Sequence, residues 1–187
     1  MGLTTALRRP DAGGLPDYRA ALERNWSPDN TRAAAAAEQL VVIAADPAGC
    51  LASLDDEHAI GTRIMLPDGS TVPRLPSLTR WIWADGFCGS MGFRWQSGTS
   101  DLPAHVLGHI GFAVVPWRRG EGRATRALAL FLDEPRRQGL SHVELTTNVD
   151  NLPSQRVIAA NGGELVERFR KLPAYGGGEA LKFRITL

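Results

Sequence analysis

Residues 108–147 read GHIGFAVVPWRRGEGRATRALALFLDEPRRQGLSHVELTT, and this stretch decides the fold. Ile110 to Val115 is an apolar run with strand character, closed by Pro116, which has no N–H to give to a ladder. A glycine-punctuated turn follows, Arg118-Arg119-Gly120-Glu121-Gly122-Arg123. Ala124, Ala127, Leu128, Phe131 and Leu132 then fall on one face of a helix. Val143 to Thr147 is a second strand. The unit is strand, glycine-rich turn, helix, strand.

The first amides of a helix lack intrahelical acceptors and lie at the positive end of its dipole. Glycines 120 and 122 admit an anion close to the backbone, and Arg118, Arg119 and Arg123 add charge. A phosphate or pyrophosphate site is the leading reading. The alternative is a helix cap with a solvated basic rim. The dinucleotide pattern G-x-G-x-x-G breaks at Thr125, and Glu144, about 20 residues on, sits mid-strand, where a ribose contact is not expected. No Gly-Lys-Ser/Thr of a P-loop follows either. Arg119-Gly120-Glu121-Gly122-Arg123-Ala124 does spell R-x-x-G-x-A. After a strand and opening a helix, it resembles the acyl-CoA pyrophosphate motif of the GNAT acetyltransferases.

Two further segments are similar to one GNAT branch. Gly108-His109-Ile110-Gly111-Phe112 resembles its G-H-I-G-Y strand. Asn151 to Gly163, NLPSQRVIAANGG, resembles its N-x-x-S-x-x-V-I-x-x-N-G-G segment. Together the matches cover roughly 75–163 in the order that branch has them. The resemblance implies acetyl-CoA as donor, an amine as acceptor and direct transfer in a ternary complex. It implies that Ala113, Val114 and Val115 bind the pantetheine arm and polarise the thioester. Arg119, Gly120, Gly122, Arg123, Ala124 and Thr125 would hold the pyrophosphate. Asn151 and Ser154 would meet the pantetheine or leaving thiol, and Arg156 a CoA phosphate.

Many GNAT enzymes place a glutamate base two residues before the glycine of the central strand, and by that resemblance the place falls on His109. An unperturbed imidazole titrates near 6.5 and accepts protons at neutral pH. A half-buried histidine merely satisfying a hydrogen bond is the competing reading. The family's general-acid tyrosine is missing from 157–163, and Ser154 through a water, or Tyr175, are the substitutes. With that position vacant, a catalytically silent acyl-CoA-binding regulatory module is the alternative to an enzyme. A nucleotide-phosphate binder of another family survives only if the 151–163 match is chance.

The 187 residues suit one domain, with N-terminal helices and an acceptor-side loop in 1–76, a sheet and donor core in 77–163, and a strand pair in 164–187. A net charge of +1 gives no footprint for nucleic acid or an anionic membrane. No apolar run approaches the ~18 residues of a span, and no signal-peptide pattern opens the chain. Cys50 and Cys88 form no framework, which favours a reducing cytoplasm.

Leu3 to Leu7 reads as a short edge strand. A helix begins near Asp17, and Asn30 or Thr31 caps a second that runs through Ala33 to Ile43. Asp55, Asp56, Glu57 and His58 read as a solvated helix face, or as a lure for a cationic amine. Leu78 to Ala84, the Asp85-Gly86 turn, Phe87 to Trp95 and Leu107 to Val115 make an antiparallel meander. Pro135 should kink or end the central helix. His105 and His109, about 13 Å apart on an extended chain, do not share a metal, and none is expected. Exposed aromatics such as Trp117 serve either a core edge or a homodimer interface. The expected fold is α/β (α+β), a mixed, mostly antiparallel central sheet with helices on both faces.

Overall fold

The computed structural model describes residues 4–29, 32, 34–59, 63–66 and 69–187. Its centre is the meander. Strand β5 (Ser77–Trp83) turns through Asp85-Gly86 into β6 (Phe87–Arg94), which pairs antiparallel with β7 (Ile110–Val114). Strands β1 (Ala6–Arg8) and β2 (Asp55–Asp56) pair along the other side of β5.

Alternation gives this sheet two apolar faces. Trp81, Ala113 and Val115 join the cluster under α1 (Leu15–Glu23), α2 (Ala35–Ala45) and α3 (Pro47–Ser53). Tyr18 of α1 stacks on Trp81 at 5.1 Å between ring centroids, and Phe87 and Trp26 meet Tyr18 edge-on. Such pairs add about 0.5–1.5 kcal/mol each to the area they bury. Ile82, Met91, Phe93 and Ile110 join the opposite cluster, against Ala127, Leu128 and Phe131 of α4 (Arg123–Phe131) and Ile158 of α6 (Leu152–Ala159). Pro135 cannot donate to the Phe131 carbonyl, and α4 stops at Phe131; α5 (Asp133–Arg137) follows as a separate turn.

A second sheet holds β8 (His142–Asn148), β10 (Glu179–Thr186) and β9 (Glu164–Arg170), in the order β8-β10-β9. A hairpin of β3 (Arg63–Met65) and β4 (Thr71–Pro73) stands apart. The expected class holds: antiparallel strands with helices on both faces. The expected single mixed sheet is instead two sheets, with no ladder joining β7 to β8. They share one apolar cluster, in which Phe93 and Ile110 of the first meet Val143, Leu145 and Phe183 of the second.

Three local expectations change. The first strand is Ala6–Arg8, and Leu3 lies outside the described residues. So do Asn30, Thr31 and Ala33; α2 begins at Ala35 without a side-chain cap. Within the acidic cluster Asp55 departs from the solvated helix face, whereas Glu57 and His58 are exposed. Asp55 sits in β2 with its carboxylate buried, shared between Arg9 at 2.5 Å and Arg80 at 3.2 Å.

Candidate active site

Strands β7 and β8 touch only where β7 begins. The His109 N–H donates to the Glu144 carbonyl at 2.7 Å, and the Glu144 N–H donates to His109 Nδ1 at 2.9 Å. The Thr146 hydroxyl donates to the Leu107 carbonyl beside them. Beyond this knot no backbone hydrogen bond joins the two strands among the described residues.

On its other side β7 is fully committed. The His109 carbonyl accepts from the Arg94 N–H, and the Val115 N–H donates to the Cys88 carbonyl, so between them Gly111 and Ala113 point their backbone groups at β6. Of Ala113, Val114 and Val115, only Val114 therefore turns its backbone toward the gap. Its carbonyl accepts from Arg119 Nε at 3.1 Å.

The chain leaves β7 through a 3₁₀ turn, Pro116–Arg118, and reaches α4 across two left-handed glycines, Gly120 at φ +78° and Gly122 at +70°. Side chains other than glycine rarely adopt this region. Gly122 is the N-cap, and no side chain caps the helix. Its carbonyl takes the first intrahelical bond, from the Arg126 N–H at 3.2 Å. The amides of Ala124 and Thr125 precede that bond and have no intrahelical acceptor.

The arginines of the turn divide. Arg118 pairs with Asp85. Arg123, 7% exposed, points inward, where its guanidinium meets Glu121 at 2.9 Å and the Thr5 hydroxyl at 3.4 Å. The expected phosphate ligand thus has its side chain committed to the fold. Arg119 is exposed and has no carboxylate partner among the described residues. Arg126, which the sequence reading missed, lies over the turn; its guanidinium donates to the Glu121 carbonyl and the Thr5 hydroxyl. Helical spacing could have found it, because Arg126 stands one turn above Gly122 on the same face.

Downstream, Asn151 caps α6. Its Oδ1 accepts from the Ser154 N–H at 3.2 Å, which brings these two candidates together. Arg156 is exposed on the same helix. Asn161 and Gly163 prove architectural. The Asn161 side-chain amide donates to the carbonyls of Thr125 and Val157. A Cβ on Gly163 would stand 2.3 Å from Ile158 Cγ2. Tyr175 is held elsewhere, its hydroxyl donating to the His105 carbonyl at 3.2 Å.

His109 is fully buried. Burial pushes its pKa down to about 4, and the neighbouring Glu144 only partly offsets this. Since Nδ1 accepts the Glu144 N–H, the neutral ring carries its proton on Nε2, which is buried beside the Ser100 backbone. No lone pair of the ring faces the gap.

Two cavities open on the α1 face of the first sheet. One, of about 250 Å³, is lined by Tyr18, Asp29, Glu38 and Gln39 over a floor of Thr79, Ser90 and Gly92. Gly92 pairs with Gly111 of β7, so this cavity backs onto the strand that borders the gap. The other, of about 300 Å³, lies between Asp17, Asp85 and Trp117, where the Arg24 guanidinium stacks 3.6 Å above the Trp117 ring. That contact, not a core edge, is what occupies this aromatic.

Strands β7 and β8 thus diverge beside an uncapped helix N-terminus. A family model for the acetyltransferase (GNAT) domain matches residues 18–164. The chain belongs to the GNAT acetyltransferase family. Solved GNAT structures share its fold. RimJ of Mycobacterium smegmatis, in complex with CoA-disulfide, is 22% identical, with a TM-score of 0.65 over 97% of this chain and 81% of that one. The microcin C7 self-immunity acetyltransferase MccE, in complex with acetyl-CoA and AMP, is 12% identical, with a TM-score of 0.60 over 98% and 92%. RimL, a ribosomal L7/L12 alpha-N-protein acetyltransferase in complex with coenzyme A, is 14% identical, with a TM-score of 0.60 over 98% and 94%. Among curated proteins none matches the sequence. No helix among the described residues is long and apolar enough to cross a membrane.

Proposed function

We propose that this GNAT chain, acting as one domain over 1–187, is an N-acetyltransferase that moves an acetyl group from acetyl-CoA to a primary amine within a ternary complex. The observation that carries the reading is the gap between β7 and β8, which leads to the uncapped start of α4. Family membership and the CoA-bound neighbours support the donor. Gly120, Gly122 and the amides of Ala124 and Thr125 would receive the pyrophosphate, with Arg119 and Arg126 as the charges at hand. The backbone of Val114 would meet the pantetheine arm as a missing strand would. Asn151 and Ser154 would stand near the thiol end, and Arg156 near an outer phosphate.

The 250 Å³ cavity is the proposed acceptor seat. There the amine gives up one proton, its nitrogen bonds to the acetyl carbon, and the carbon–sulfur bond breaks. The thiolate leaves and takes up a proton. Holding both reactants in one geometry supplies most of the acceleration. His109 has no accepting lone pair toward the gap, so we assign it to the β7–β8 knot and leave proton uptake to the carboxylates and water of the acceptor cavity. The Ser154 hydroxyl suits the leaving thiol better than Tyr175, whose proton is given to His105. Cys50 and Cys88, buried and unpaired, fit a reducing cytoplasm.

Burial of a neutral His109 also favours a second reading, a silent acyl-CoA-binding module. Calorimetric titration with acetyl-CoA, against ATP and NAD, tests the donor; micromolar binding of acetyl-CoA alone is expected. Thiol release over a panel of amines then separates enzyme from module, and binding without turnover on any amine would select the module.

A further inference from the structure

We infer that Arg119 selects the donor, making occupation of the pantetheine edge depend on the pyrophosphate. The inference rests on the donor reading above. Register leaves Val114 as a residue whose backbone groups face the gap, and its carbonyl is the acceptor that an extended arm laid along β7 would use. That carbonyl is taken by Arg119 Nε at 3.1 Å. The same Arg119 immediately precedes Gly120 at the mouth of the phosphate turn and, unlike Arg118 and Arg123, has no carboxylate to hold it among the described residues.

One guanidinium therefore stands between the two halves of the donor site. A pyrophosphate in the turn offers it a bidentate, doubly charged partner, which a lone carbonyl cannot match. Moving to that partner clears Val114 for the arm. A thioester that lacks the pyrophosphate must displace Arg119 with nothing to receive it, so the chain discriminates against acyl-pantetheine groups that do not carry the nucleotide end. Arg126 sits on the same turn but does not reach β7 and takes no part in this exchange.

The test uses the full chain with two thioesters, acetyl-CoA and phosphate-free S-acetylpantetheine, titrated by amide NMR and calorimetry. Arg119→Ala should weaken acetyl-CoA about tenfold yet tighten S-acetylpantetheine at least about threefold, because Val114 is then unoccupied. Arg126→Ala should weaken acetyl-CoA and leave S-acetylpantetheine unmoved. Thermal unfolding establishes that both variants fold. Unchanged or weaker S-acetylpantetheine binding by Arg119→Ala, with acetyl-CoA bound by the wild type, overturns the inference alone. A wild type that binds no acetyl-CoA overturns the donor reading and this inference together.

Discussion

The side-chain amide of Asn161 donates to the backbone carbonyl of Thr125 across 3.2 Å, fastening the end of α6 to the first turn of α4. The same amide also reaches the Val157 carbonyl at 2.8 Å. Asn161→Ala removes both bonds and should lower stability by about 1–2 kcal/mol. A thermal scan should show a Tm drop of roughly 3–6 °C. Acetyl-CoA should bind more weakly in the same variant, because the turn that receives it is less firmly held.

Gly163 closes α6 where no Cβ fits: the added atom would meet Ile158 Cγ2 at 2.3 Å and the Ile158 carbonyl at 2.8 Å. Gly163→Ala should cost about 1–3 kcal/mol, as overpacking generally does. Denaturant unfolding checks this, and a midpoint equal to the wild type would show that the helix end relaxes freely.

Gly122 combines a left-handed backbone with a place over the open helix start. Gly122→Glu adds bulk and negative charge there, and should reduce acetyl-CoA affinity more than about tenfold. Calorimetry on the folded variant decides it; undiminished affinity would move the phosphate site elsewhere.

Asp55 is the shared partner of Arg9 and Arg80, and Arg80 also reaches Glu134 at 3.1 Å. Asp55→Asn leaves the half-buried Arg80 short of a charge and should destabilise by about 3 kcal/mol. Adding Arg80→Met should recover part of the loss, and a double-mutant cycle measures how much.

His109 makes a pH-dependent contribution whose sign follows from its depressed pKa. The unfolded imidazole takes up a proton near pH 6.5, whereas the folded one refuses it until about pH 4. Its stabilisation is present above pH 6.5, is lost as pH falls through that window, and changes no further below about 4. The urea midpoint of the wild type should therefore fall toward that of His109→Asn between pH 6.5 and 4. If a folded His109→Asn enzyme keeps the wild-type pH profile of turnover, the ring is architectural; a deficit that follows an imidazole titration would restore it as the base.

Much of this was legible in the sequence because local chemistry dictated it. Pro116, Gly120 and Gly122 punctuate one strand and one helix, and each stands where its backbone preference placed it. Side-chain direction was not legible. Arg123 and Arg126 are three residues apart on one helix and both reach the distant Thr5, yet the first turns inward while the second lies over the turn. The same holds for Asp55, where a run of acids reads as surface until Arg9 and Arg80 arrive from remote strands, and for His109, whose ring nitrogen is claimed by a backbone amide in β8.

The interrupted ladder between β7 and β8 changes what sets the width of the opening. A hydrogen-bonded sheet has a spacing fixed by backbone geometry, but past His109 the separation of the two sheets follows the packing of their common cluster, to which Phe131, Leu145 and Phe183 belong. They work like shims under a hinged plate. Exchanging one shim for a larger or smaller apolar residue would re-angle the halves, so the size of donor admitted can drift through mutations that never touch a ligand-facing residue.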